Sequence, residues 1–240
     1  MVKQDLKKAL GIFEAMFRSD YGYIEYSTDT MVLFEDYQLE EVKDCLDTIA
    51  STYGFEILAR NSGTKKETKR IYLVPTQDCK YAYSSADIKK YIHTQENKNF
   101  DYLMLYLLLL LINEFFGGTP ISVTKNYITE QTYMHVIEQA VDRQKVLTVE
   151  DAISREFNVD KACQTWCGLT GEVNDRLTSK VGFVRKVLKF AKSHDLISIR
   201  EEDEVKIFPT IKLQDLVLNS KLNLSERMKV VLAQKEEDNA

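Results

Sequence analysis

The spacing of apolar residues over the first third of the chain predicts a helix, a short strand, a second helix and a β-hairpin, in that order. A helical stripe of apolar side chains opens the chain, and the second helix ends at Gly54, a residue type that commonly follows a helix. Two β-rich runs then flank the polar stretch Arg60–Arg70, and Pro75 closes the hairpin. In order, the elements are the stripe Leu6, Leu10, Phe13 and Phe17, the strand Tyr23–Tyr26, the helix from about Gln38 to Tyr53, and the runs Phe55–Leu58 and Ile71–Val74.

The second half of the chain repeats the order of helix, hairpin and proline. Thr178–His194 predicts a helix, Arg200–Glu204 forms the acidic tip of the hairpin that follows, and Pro209 closes it. We therefore interpret the chain as a degenerate tandem repeat of architecture. Further helices are predicted by the N-cap at Ser84–Asp87 with helical character through Ile92, by the face Tyr133, Val136, Ile137, Ala140 and Val141, by the capping box Thr148–Asp151 with a helix through Phe157, and by the amphipathic run Ser225–Gln234.

Tyr102–Ile112 is an uninterrupted run of eleven apolar residues. A membrane-spanning helix needs about 20 such residues, so the run predicts a buried helix, Asp101–Phe116, that ends at Gly117–Pro120. Two interpretations stay open: a central helix packed within the chain, or an interface with a second copy or a partner. The candidate interface residues are Leu107, Leu110, Leu111, Phe115 and Phe116.

These elements predict a mainly helical α+β fold with small β-hairpins, in which two winged-helix domains in tandem are joined by the apolar central helix. We expect an N-terminal winged-helix domain over residues 1–83, and a linker with the central helix over residues 84–120. The C-terminal winged-helix domain is expected over residues 121–220, before a C-terminal helix and charged tail over residues 221–240.

Composition narrows the class of protein. The 240 residues are 44% apolar and 29% charged, with 9 Gly and 3 Pro, which is typical of a folded, helix-rich protein. The formal net charge of −5 indicates that any contact with nucleic acid is confined to local basic surfaces. The first 13 residues lack the apolar stretch of a signal peptide, so we expect a cytoplasmic protein without membrane contact, whose four cysteines are free thiols.

Residue types that carry catalytic or metal chemistry do not form a recognisable set in the sequence. Cys163 and Cys167 stand four apart, but no further cysteine or histidine lies at the spacing of a structural zinc site. Gly117-Gly118 lacks the Lys-Ser/Thr and the preceding strand of a phosphate-binding loop. No nucleophile motif lies near any of the three histidines, and the position of His194 is explained by its role as a helix C-cap. We therefore predict no enzyme activity, no metal and no cofactor. The histidines are His93, His135 and His194.

Two groups of basic residues are candidate DNA-binding residues. The first occupies the long loop of the first hairpin, where a wing can lie along the phosphate backbone, although a lysine-rich loop that serves solubility explains it equally well. The second forms a stripe on the helix Thr178–His194, but the adjacent acidic tip favours a solvated face there. The first wing is therefore the preferred DNA contact. The first group is Arg60, Lys65, Lys66, Lys69 and Arg70, and the second is Arg185, Lys189 and Lys192.

The order of elements resembles the kite subunits of SMC-type complexes, and within them the MukE-like subunits, including those of Wadjet plasmid-defence systems. Gly54–Pro75 and Thr178–Pro209 carry this resemblance, with Tyr102–Ile112 between them, and it covers roughly residues 1–220. The resemblance implies a homodimer that binds a kleisin-like subunit, lies near the ATPase heads of an SMC-like coiled-coil partner and contacts double-stranded DNA non-specifically. It also implies a nucleoid-associated subunit without activity of its own, in plasmid defence or chromosome organisation.

A second hypothesis is a stand-alone winged-helix regulator or replication initiator. It predicts tight, sequence-dependent binding of duplex DNA by the protein alone, whereas the kite resemblance predicts weak, salt-dependent and sequence-indifferent binding. The net negative charge and the acidic tip Glu201–Glu204 count against the regulator.

Overall fold

The computed structural model describes residues 3–19, 22–61, 68–76, 79, 98–117, 123–146, 158–174, 176 and 178–219. The chain divides into two compact units, Met1–Ser84 and Ser85–Ala240, so the division falls one residue from the boundary expected after residue 83. The α+β class is confirmed, because each unit combines helices with a three-stranded antiparallel sheet. The helices predicted from Ser84, from Thr148 and over Ser225–Gln234 lie outside the described residues.

The first unit has a winged-helix arrangement. Its three-stranded sheet has the order β1-β3-β2, so the short first strand pairs with the last strand of the hairpin. The helix directly before the hairpin, α3, occupies the position of a recognition helix. The sequence did not reveal α2, because one short helix of 7 residues shows too little periodicity. The elements are α1 (Lys3–Arg18), β1 (Tyr23–Glu25), α2 (Met31–Tyr37), α3 (Glu40–Thr52), β2 (Phe55–Asn61) and β3 (Thr68–Pro75).

The helix predicted at the start of the chain is confirmed, but its fully buried residues are not members of the apolar stripe that predicted it. Ala9, Ile12 and Met16 are fully buried where α1 packs on α3. Leu10 and Phe17, which belong to the apolar stripe Leu6, Leu10, Phe13 and Phe17, are 48% and 50% exposed. Apolar residues cover a wide arc of α1, so their spacing fits two neighbouring faces. The structure buries the face with Ala9, Ile12 and Met16.

Gly54 ends α3 with a backbone conformation that side chains disfavour. Its φ is +79°, and a Cβ at this position would lie 2.8 Å from the Cα of Cys79. We expect Gly54→Ala to lower the free energy of unfolding of the first unit by about 1–3 kcal/mol, because it adds backbone strain and a clash with main-chain atoms. Urea unfolding followed by circular dichroism measures this.

Gly11 in α1 is the matched control. It lies within a helix, and among the described residues no atom outside the helix backbone lies within 4 Å of the position of an added Cβ. Gly11→Ala should therefore stabilise the first unit by about 0.5–1 kcal/mol. Equal unfolding midpoints for the two variants would contradict the conformation assigned to Gly54.

The second unit is a larger winged-helix arrangement. Its sheet has the order β4-β6-β5, and α7 directly precedes the hairpin, as α3 does in the first unit. The helix, hairpin and proline order predicted for Thr178–Pro209 is confirmed. The two-residue β4 and the helices α6 and α8 had not been predicted. The elements are α4 (Lys98–Phe116), β4 (Ile128–Thr129), α5 (Glu130–Val146), α6 (Val159–Cys167), α7 (Lys180–Ser193), β5 (Ile197–Glu201), β6 (Val205–Pro209) and α8 (Ile211–Asn219).

The apolar helix α4 is the central helix of the second unit and not a linker between units. It packs against α5, α6 and α7, and the Tyr133 hydroxyl donates a hydrogen bond of 2.6 Å to the carbonyl oxygen of Leu107. All five candidate interface residues are no more than 2% exposed. The interface interpretation is therefore wrong for these side chains, because the chain's own helices already cover them. They are Leu107, Leu110, Leu111, Phe115 and Phe116.

Length and composition alone would also allow α4 to cross a membrane. Within the described part of the chain it is the one helix that passes this test, with a mean hydropathy of 1.4 over its most apolar window. Half of that window is buried inside the second unit. The core residues of the helix thus have protein neighbours, as expected for a helix apolar on all sides.

Candidate nucleic-acid interface

Both ends of α7 are fixed by local hydrogen bonds. Ser179 is the N-cap, and its Oγ accepts a hydrogen bond of 3.0 Å from the amide of Gly182. His194 is the C-cap, as predicted, and its carbonyl oxygen accepts a hydrogen bond of 3.0 Å from Lys212 Nζ. Burial lowers the pKa of Lys212. With its ends and its apolar side held in the core, α7 presents a defined outer face.

The outer face of α7 lines a groove of about 470 Å³ between this helix and the wing formed by β5 and β6. Arg185, Lys189 and Lys192 form the helix side of the groove, so the structure brings the predicted stripe together on one surface. Its apolar residues are Leu188, Ile199 and Val205, and two carboxylates complete the lining, Glu130 and Glu201.

The cations of the groove differ in their partners. Arg185 Nε and Nη2 each lie 3.3 Å from a carboxylate oxygen of Glu130, at the start of α5. Lys189 and Lys192 are exposed. The groove therefore offers the ammonium groups of Lys189 and Lys192 to a polyanion, whereas the guanidinium of Arg185 is already bound by the Glu130 carboxylate.

The wing of the second unit is acidic, as the sequence predicted. Glu201, Glu202, Asp203 and Glu204 are all exposed. Lys206 Nζ lies 2.7 Å from Glu202, and this hydrogen bond raises the pKa of Lys206 and lowers that of Glu202. This tip repels phosphates and does not favour contact with a nucleic-acid backbone.

In the first unit, the strands extend further than predicted and take Arg60 and Arg70 out of the loop. The two arginines lie opposite each other on β2 and β3. Arg70 Nη2 and Nε lie 2.8 Å and 3.1 Å from Glu25 on β1. Although burial alone lowers the pKa of Arg70, its hydrogen bonds with Glu25 and Tyr72 raise it above its ordinary value. The expectation that Arg60 and Arg70 belong to a basic loop is therefore wrong.

Lys69 also lies outside the predicted loop, because β3 begins at Thr68. Lys69 is exposed on β3. Lys65 and Lys66 lie outside the described residues.

The helices directly before the two hairpins carry opposite charge. The helix α3 contains four acidic residues and one basic residue, and its Glu40, Glu41, Asp44 and Asp47 are exposed. The helix α7 contains five basic residues and no acidic residue. This contrast was not part of the sequence interpretation, although comparing the two helices by their position before the hairpin reveals it in the sequence.

The residue types that could support catalysis or metal binding remain dispersed. Cys163 is buried in the core of the second unit and Cys167 is exposed on the same helix. Burial is the main cause of the raised pKa values of Tyr106 and Tyr133. Over the described ranges, no group of three His, Cys, Asp or Glu side chains could hold a metal ion. His135 pairs with Gln139, His194 caps α7, and His93 lies outside the described residues.

The fold and its charges define a protein of two winged-helix units, with an acidic recognition-helix position in the first and a basic one in the second. The sequence matches the family described as "Family of unknown function (DUF6063)" over residues 1–239, so the chain belongs to that family. No curated protein matches the sequence.

Proposed function

We propose that this protein is a non-catalytic kite-type subunit, MukE-like, of an SMC-like complex that acts on plasmid or chromosomal DNA. In this proposal it forms a homodimer, binds a kleisin-like subunit beside an SMC-like coiled-coil ATPase, and contacts double-stranded DNA without reading its sequence. The observation that supports this most is the opposite charge of α3 and α7.

The charge of α3 argues against base reading by the first unit. A winged-helix reader places this helix in the major groove, between two rows of phosphates. Four exposed carboxylates on α3 would be repelled there, which makes the first unit better suited to protein contacts.

The second unit suits a limited contact with the phosphate backbone. The helix α7 supplies exposed lysines, but the acidic wing next to it would be repelled by the phosphates of the duplex. A few lysine–phosphate contacts give weak binding that depends steeply on salt and little on sequence. We therefore assign the DNA contact mainly to α7, whereas the sequence alone favoured the first wing.

For the homodimer we propose the aromatic face formed by α1 and the end of α3, defined as Leu10, Phe13, Phe17 and Tyr53. The Phe13 ring stacks on those of Phe17 and Tyr53 at 5.8 Å and 5.5 Å, and the other three side chains are about half exposed. Exposed apolar clusters of this kind mark contact surfaces.

The charges beside the aromatic face suit a second copy of the chain. Lys7 and Glu14 are both exposed on the polar flank of this face, on either side of the helix centre. Antiparallel packing of two α1 helices about a two-fold axis places Lys7 of one copy opposite Glu14 of the other, twice per dimer.

Salt-dependent DNA binding tests the proposal. We expect Lys189→Glu with Lys192→Glu to weaken binding to a random duplex by about 10- to 100-fold and to reduce the slope of log affinity against log salt by about 2, since each phosphate contact contributes about 0.9. Fluorescence anisotropy over a salt series measures both quantities. Arg143→Glu with Lys161→Glu is the matched control, because these exposed residues of the same unit lie outside the α7 groove.

Other outcomes separate the alternatives. If the triple change of Lys65, Lys66 and Lys69 to glutamate weakens binding and the α7 variant does not, DNA binds the first wing. Tight binding of one sequence by the protein alone would support the stand-alone regulator. A monodisperse monomer without affinity for a neighbouring kleisin-like gene product would contradict the kite proposal.

A further inference from the structure

The Glu130–Arg185 pair joins two elements that are distant in the sequence, at the edge of the α7 groove. Glu130 is the first residue of α5, and its side chain is 19% exposed, against 44% for Arg185. Both nitrogens involved, Nε and Nη2, approach separate oxygens of the same carboxylate. Such a two-pronged geometry is the one in which a guanidinium also binds a phosphate group.

We propose that Glu130 sets the DNA affinity of the second unit by occupying the guanidinium of Arg185 that a backbone phosphate would otherwise bind. This inference rests on the proposed function, because it concerns the same α7 surface. A carboxylate already in place competes with the phosphate and cancels one positive charge of the groove. Glu130 thus keeps the contact weak, as suits a subunit that must move along DNA held within a complex.

The helix terminus does not explain the pair by itself. An acidic residue in the first turn stabilises a helix through its dipole, and Glu130 is placed for this. Yet α5 has a separate cap, since Thr129 Oγ1 accepts a hydrogen bond of 3.1 Å from the amide of Thr132. That cap remains when Glu130 is changed, so a Glu130 variant can be tested in a folded protein.

Glu130→Gln is the test variant, because glutamine keeps the shape of the side chain and removes the carboxylate charge that Glu130 holds against Arg185. We expect its affinity for a random duplex to rise by about fivefold near 0.1 M salt, and its salt slope to steepen by about 0.9, the contribution of one added phosphate contact. Adding Arg185→Gln to this variant should abolish both changes.

Glu201→Gln is the matched control. It removes one negative charge from the same groove without releasing the guanidinium, so it should raise affinity less and leave the salt slope unchanged. Thermal unfolding of each variant establishes that binding is measured on folded protein.

The outcomes separate this inference from the proposed function. If the Lys189/Lys192 variant binds as wild type does, DNA is not bound on α7 and both fail. If that variant loses affinity but Glu130→Gln gains none, only the role of Glu130 is overturned. A gain that matches that of Glu201→Gln in size and slope, or that persists without Arg185, also overturns it. Absence of binding by wild type and Glu130→Gln at about 50 mM salt would overturn both.

Discussion

Replacing Leu107 by alanine is expected to lower the free energy of unfolding of the second unit by about 2–5 kcal/mol. The side chain is fully buried within α4, and the carbonyl of the same residue is held by the Tyr133 hydroxyl. Truncation removes buried methyl groups and leaves a cavity that the packed neighbours from α5, α6 and α7 fill only in part. Few single changes in this chain should cost more.

The fluorescence of Trp166 measures this loss in the second unit alone. It is the one tryptophan of the chain and is fully buried in the same core as Leu107. Leu105→Ala is the control, because Leu105 lies on the same helix but is 39% exposed, and it should cost less than about 1 kcal/mol. The difference between the two variants should not change over about a tenfold range of protein concentration. A difference that grows or shrinks with concentration would restore the interface interpretation of α4.

The elements that the sequence predicted well are those with strong periodicity and clear end signals. The helix α4 has a long apolar run that ends before Gly117, and both hairpins follow a helix and close at a proline, Pro75 or Pro209. The apolar periodicity of a helix differs enough from that of a strand that each of these segments fits only one type of secondary structure. Among the missed elements, α2 and β4 are too short to show a period.

Burial was harder to predict than secondary structure, because it depends on packing between distant segments. An all-round apolar helix such as α4 is compatible with a core and with an interface, and only its contacts with α5, α6 and α7 decide the matter. In α1 the apolar arc is wide enough to fit two faces, and the one with Leu10 and Phe17 stays exposed. In that second case the packing leaves the aromatic face exposed.

For the candidate site, the sequence predicted the helical spacing of the basic residues but not the carboxylates with which they pair. The i, i+4 and i+7 positions of Arg185, Lys189 and Lys192 follow from helix geometry. Glu130 and Arg185 are 55 residues apart, and Glu25 and Arg70 are 45 apart, so no local pattern joins them. The first hairpin also extends through polar residues, because main-chain hydrogen bonds continue a ladder whatever the side chains.

Replacing Leu10 and Phe17 together by glutamate is expected to convert the proposed homodimer into a folded monomer. Each change places a charge in the centre of the aromatic face. Loss of a central apolar contact typically costs about 2 kcal/mol or more, so the dissociation constant of the dimer should rise by more than about 100-fold. Sedimentation equilibrium over a concentration series measures the dissociation constant, and circular dichroism shows that the variant is folded.

Val32→Glu with Leu39→Glu is the matched control, since both residues are exposed apolar side chains of the first unit outside the aromatic face, with exposures of 60% and 43%. This variant should remain dimeric. If it dissociates and the Leu10/Phe17 variant does not, the contact lies on the α2 side and the assignment to α1 is wrong.

A charge exchange across the two-fold axis tests the antiparallel arrangement directly. Lys7→Glu or Glu14→Lys alone should weaken the dimer, because each change places like charges opposite each other twice per dimer. The double exchange restores opposite charges and should recover most of the wild-type affinity.

The monomeric Leu10/Phe17 variant should also bind long duplexes more weakly than wild type, although its α7 is unchanged, because a dimer engages DNA through two linked copies of that helix. Equal DNA affinity of monomer and dimer would indicate that one copy alone contacts the duplex.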